Sequence, residues 1–289
     1  MASLFFFGFP GRRFWARLLV GVGMIGGLAG VLQAAGTLLV LHSFHPGYWW
    51  TDDQAEGIQF VLETAAPGTD LRLEYLDLLR HDRPDYRADL LEMIRHKYAG
   101  EPVAVVLTTD EPALRFAVEH RPLLFPEATI VFSGLHEPLP DFLAGCSNLT
   151  GVVETRDPAP SWQVIRRFHP GARRILAIDD APDSPRRAAF AESVAAGGLE
   201  WNWMTPSAFE AALAAPDFRI DPDLVVFIHP LRHRFAEKAE IDRQAQFIRR
   251  LAPVPAYHLC SPTLGNGAVG GMLYSGRRHG MAAAAQAVR

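Results

Sequence analysis

The chain has 289 residues and 31.9 kDa, 49% of them hydrophobic, enough to bury a large core and divide it between two lobes. A formal net charge of −4, a pI near 6.3 and scattered Lys and Arg provide no basic field, so nucleic acid is not an expected partner. Cys146 and Cys260, the two cysteines, form no C-x-x-C pair, which leaves zinc-ribbon and thioredoxin-type chemistry unsupported; one disulfide and two inert buried thiols both stay open.

No acidic residue precedes Asp52, while Arg12, Arg13 and Arg17 stand ahead of an apolar stretch from Leu18 to Leu32 and the small-residue exit Gln33-Ala34-Ala35-Gly36. This is the layout of a secretory signal. The stretch is short for a membrane span, which needs about 20 apolar residues. Apolar residues resume from Leu38 to Leu41, so residues 1–35 read either as a cleaved signal peptide or as an N-terminal membrane anchor. Both place the remainder outside the cytoplasm, in the periplasm.

Strand-like runs then alternate with helical periods, the pattern of βαβ units and a parallel sheet. Strands are expected at Thr37–His42, Leu71–Leu76, Val103–Thr108 and Thr129–Ser133. Between the first two, Thr51-Asp52-Asp53-Gln54 reads as a capping box ahead of Ala55, Ile58, Leu62 and Ala65 on one helical face. After the third, Asp110 reads as a helix cap with Pro112 in the first turn. These elements make one α/β lobe, residues 36–150.

A second lobe, residues 151–258, follows Gly151-Val152-Val153-Glu154, with strands expected at Arg174–Asp179, Leu199–Met204, Leu224–His229 and Val254–His258. Ser184-Pro185 and Ser207-Ala208-Phe209-Glu210 read as helix starts, and 234–251 as a long amphipathic helix. Residues 259–289 form a crossover segment and a terminal helix from Gly276. The chain stops there without a closing strand, which reads as a fold incomplete at its C-terminus.

In an open α/β sheet, ligands bind beyond the carboxyl ends of the strands. Those ends present Ser43, Phe44, His45, Tyr48 and Trp50 after the first strand, Thr109 and Asp110 after the third, and Ser133 and Gly134 after the fourth. Glu154, Asp179, His229 and Ser261 stand at the corresponding places further on. Few polar groups beside aromatic surface is how ligand pockets are built. Each has a plainer role as well: Trp50 as packing, Asp110 as a cap, Ser43 as a turn hydroxyl. His42 and His45 lack a carboxylate or thiolate at matching spacing, so no metal is expected. No G-x-S-x-G elbow, Gly-rich phosphate loop or H-E-x-x-H occurs, so neither catalysis nor a cofactor is expected.

The run Leu41-His42-Ser43-Phe44-His45-Pro46-Gly47-Tyr48-Trp49-Trp50-Thr51-Asp52 resembles the opening "LHSYHPGY-WT" of uncharacterised transport-type periplasmic binding proteins, and of matching sensor domains in bacterial signalling proteins. Further matches lie at Glu74-Tyr75-Leu76-Asp77, Thr109-Asp110, Val131-Phe132-Ser133-Gly134, Thr150-Gly151-Val152-Val153-Glu154, Gly270-Gly271 and Gly280-Met281. Phe44 stands where the family has tyrosine, which removes one hydroxyl. The resemblance implies the type I periplasmic-binding fold, two Rossmann-like lobes with parallel sheets that close on a small molecule. It implies the input domain of a sensor histidine kinase or diguanylate cyclase whose transmitter is missing from this chain, or alternatively the solute-binding protein of an ABC importer, with a transmitter domain or a permease as partner.

Overall fold

The computed structural model describes residues 36–136, 139–154, 159–178, 185–215, 221, 223–228, 246, 249, 254–259, 264–265 and 267–289. In the first half, β1 (Thr37–His42), α1 (Trp49–Ala65), β2 (Leu71–Tyr75), α2 (Pro84–Lys97), β3 (Val103–Thr109), α3 (Asp110–Leu124), β4 (Thr129–His136) and β5 (Leu149–Glu154) follow one another. Next come α4 (Ala159–Phe168), β6 (Arg174–Ile178), α5 (Pro185–Ala196), β7 (Glu200–Met204), α6 (Pro206–Ala214), β8 (Leu224–Ile228), β9 (Ala256–His258) and α7 (Gly276–Ala287).

The strands form two parallel sheets, ordered β2-β1-β3-β4-β5 and β7-β6-β8-β9. Parallel sheets are covered on both faces, which is why their inner strands read as unbroken apolar runs. In β1, Leu38 to Leu41 are all 0% exposed. Leu39 and Leu41 pack with α2 and α3, while Leu38 and Val40 pack with α1 and α7. In the second sheet Ile175, Ala177 and Phe227 meet Trp162 of α4 and Phe190 of α5, and Leu176, Ile178 and Val226 meet Phe209 of α6. Among the described residues no helix is long and apolar enough to cross a membrane.

Several local readings change. Residues 149–154, at the expected start of the second lobe, are the edge strand of the first sheet beside β4. The helix α1 begins at Trp49, ahead of Thr51, and has no side-chain cap; Asp52 instead accepts from the Gly47 N–H at 3.0 and 3.1 Å. In α6 the cap is Thr205, which accepts from the Ala208 N–H at 3.2 Å, in place of Ser207. Cys146 is an exposed free thiol, neither bridged nor buried, and Cys260 lies outside the described residues.

The last helix returns to the first sheet. Just before it, Met272 N–H donates to Ser161 Oγ at 2.9 Å and Tyr274 N–H to Leu259 O at 2.6 Å, both in the second half. From Gly276 onward α7 lies against α1. A Cβ on Gly57 would collide with the Arg277 carbonyl, and one on Gly280 with the Gln54 carbonyl, so the helices meet through glycine. Arg277 Nε pairs with Glu56 at 2.8 Å, and at the other end Gln286 Nε2 donates to Gly151 O of β5 at 3.3 Å.

Candidate functional site

The carboxyl ends of β1, β3 and β4 lie side by side, because these strands are neighbours in register: His42 pairs with Thr109, and Thr109 with Ser133. Ser43 is 0% exposed. Its hydroxyl donates to Thr109 O at 2.5 Å and accepts from the Ala113 N–H at 2.8 Å. That hydroxyl thus caps α3 from another strand, in place of Asp110, and its proton is committed to a carbonyl.

Asp110 opens α3 with φ +66°, a left-handed conformation that costs of order 1 kcal/mol or more for a residue with a Cβ. The conformation turns its carboxylate toward α1. Oδ1 accepts from Trp50 Nε1 at 2.9 Å and Oδ2 from Gln54 Nε2 at 3.2 Å, while the Gln54 Oε1 accepts from the buried Ser133 hydroxyl. Gly134, at φ +77°, leaves room for this carboxylate: a Cβ there would come within 2.5 Å of Asp110 Oδ1. Ser43, Trp50, Thr109, Asp110, Ser133 and Gly134 therefore belong to one cluster. Gln54, which the sequence offers only as the last residue of a capping box, stands at its centre. Its signal in the sequence is a polar residue spaced four from Trp50 and four from Ile58, on the buried stripe of α1.

Outside this buried layer lie aromatic rings. Phe44 and Tyr48 are half-buried with ring centres 5.3 Å apart, edge to face, and Trp49 follows Tyr48 at 6.3 Å. His45 is buried, 3.5 Å from Asp77, whose carboxylate also accepts from Arg80 Nε and Nη2 at 2.8 and 2.6 Å. Asp77 itself takes φ +52°, so the turn after β2 is tied to the loop after β1.

His42 is fully buried; Nδ1 is 3.1 Å from the Thr109 hydroxyl, and the ring stacks on Tyr75 at 4.9 Å. Burial drives its pKa down to about 4, so the ring is neutral at ordinary pH. At the tips of β4 and β5, half-exposed His136 stands 3.4 Å from the buried carboxylate of Glu154. Glu154 closes β5, directly beside the β4 strand that carries Ser133 and Gly134, and pairs there with His136. The predicted positions Asp179, His229 and Ser261 lie outside the described residues. Chemically, the arrangement offers a half-buried carboxylate that accepts from an indole and an amide, an imidazole and aromatic edges.

No protein-family model and no curated protein matches the chain. Solved structures do. A ligand-free, open substrate-binding protein with adhesive properties from Clostridium difficile matches at TM-score 0.58 and 12% identity over 88% of this chain and 84% of that one. The periplasmic binding protein of an arabinose ABC transporter from Shewanella sp. ANA-3, bound to arabinofuranose, gives 0.54 and 11%, over 87% and 84%. An ABC domain from Streptococcus pneumonia in complex with L-Trp gives 0.52 and 14%, over 88% and 84%. At such identities the likeness is one of architecture: the chain has the type I periplasmic-binding fold, built from two α/β lobes with parallel sheets.

Proposed function

We propose that this chain is an extracytoplasmic binding protein for a small molecule, serving solute uptake by an ABC importer. The observation that carries the reading is the cluster at the carboxyl ends of β1, β3 and β4. There the Asp110 carboxylate, held in a strained conformation by Trp50 and Gln54, stands beside the half-buried Phe44–Tyr48 edge. Strain and preset polar groups at strand tips are features of binding sites. The commitment of the Ser43 hydroxyl to a carbonyl supports binding over turnover.

The arginine-led apolar leader supports export. A sensor input domain carrying its own anchor would draw on a leader prolonged through Leu41. With Leu38–Leu41 inside β1, the apolar stretch is left at Leu18–Leu32, which is why the importer reading is preferred. The test is a thermal-shift screen against amino acids including L-tryptophan, pentoses including L-arabinose, nucleobases and small carboxylates. A bound compound raises the melting temperature by mass action. The proposal expects one class to do so in the wild type and to fail with Asp110→Asn; no shift with any compound would sink it.

A further inference from the structure

Gln54 is 0% exposed on a helix whose Ile58 and Leu62 pack against the first sheet. A buried amide is costly unless its donor and acceptor are both used. Here the partners fix its orientation. The Asp110 carboxylate only accepts, so Nε2 faces Oδ2, Oε1 faces Ser133, and the Ser133 hydroxyl is the donor. The main chain at Gln54 is held as well, because its carbonyl faces Gly280 of α7 across a gap that admits no Cβ.

We infer that Gln54 is a positioning residue: backed by Ser133 and by α7, its amide fixes where the Asp110 carboxylate points. This rests on the binding reading in taking Asp110 as a group the ligand meets. Trp50 Nε1 is a second neutral donor to the same carboxylate, on Oδ1.

The test needs no ligand. The full chain is unfolded thermally between pH 5 and 8 as wild type, Gln54→Glu, Gln54→Leu, Asp110→Asn and the double variant Gln54→Glu/Asp110→Asn. With glutamate at 54, two carboxyl groups face each other and share a proton, which raises the apparent pKa of the pair. The folded state then holds a proton that the unfolded chain has released, so stability is lost as pH rises and regained as it falls. The expected result is a melting deficit of several degrees at pH 8 that shrinks toward pH 5. Gln54→Leu should show a deficit of the same size at both pH values, and Asp110→Asn should remove the slope. His279 beside the Trp50 ring, His42 on Thr109, Asp53 on α1 and Glu111 on α3 are common to all the variants and cancel in the differences.

A Gln54→Glu deficit equal at both pH values, or a slope that survives Asp110→Asn, overturns the inference. If Gln54→Glu does not fold, the double-mutant cycle of Gln54→Leu with Asp110→Asn replaces it, and additive losses overturn the inference. A screen in which nothing stabilises the wild type defeats the binding reading and leaves the pH result standing.

Discussion

The Ser43 hydroxyl lies 2.8 Å from the amide nitrogen of Ala113, so the end of one strand caps a helix whose own N-cap, Thr109, contributes no side-chain bond. Replacing it should be expensive, because an amide left unpartnered in a dry site costs about 1–3 kcal/mol. Ser43→Ala is expected to lower stability by that amount in urea unfolding, with the slope unchanged. A midpoint equal to the wild type would show that the bond contributes nothing.

Gly134 and Asp110 are coupled through space. Gly134→Ala puts a methyl 2.5 Å from Asp110 Oδ1 and places a side chain at φ +77°, so a loss of about 1–3 kcal/mol is expected. Adding Asp110→Gly removes the carboxylate and relieves the left-handed residue. The pair should be less damaging than the sum of the two single changes, measured as a double-mutant cycle.

His42 gives the fold a pH dependence of known sign. Its folded pKa, about 4, lies below the unfolded value of 6.5. Between these values the unfolded chain binds the extra proton, so stability is complete above pH 6.5 and falls as pH drops toward 4, by about 3 kcal/mol in all. His42→Leu should be less stable than wild type at pH 7 for want of the Thr109 contact, yet flatter between pH 6.5 and 4.5. Parallel pH profiles for the two proteins would assign the acid sensitivity elsewhere.

Phe44 is half-buried and touches Tyr48 edge-on, outside the hydrogen-bonded layer. Phe44→Ala is therefore expected to weaken binding of the compound found in the thermal-shift screen by roughly tenfold, about 1.4 kcal/mol, while changing unliganded stability less than Ser43→Ala does. Calorimetric titration reads the first quantity and denaturant unfolding the second.

The sequence discloses the strands better than their edges. β1 runs Thr37–His42 as its apolar run indicates, since a central parallel strand is buried on both faces and needs no alternation. β4 continues past Ser133 to His136 because Gly134, at positive φ, shifts the register without ending the pairing. Residues 149–154 gave a weaker signal: the run is short, interrupted by Gly151, and only half-buried over most of its length. The misread caps share one cause. Thr51, Asp110 and Ser207 have the right chemistry, but the caps present in α3 and α6 come from Ser43, far off in sequence, and from Thr205, ahead of a proline. Asp110 is legible in the sequence as a tip residue. The partners that orient it, Trp50 and Gln54, sit on a different helix, and only three-dimensional pairing reveals them.

The glycine seam between α1 and α7 also bears on how the protein is made. Glu56 waits for Arg277, 221 positions further along, so the N-terminal sheet emerges from the ribosome with one flank of α1 and part of β1's far face bare. Contacts of such separation form late and leave apolar surface open to aggregation in the meantime. The first lobe is therefore completed only once α7 has been made, and a chaperone able to shield α1 until then is expected to raise the yield of folded protein.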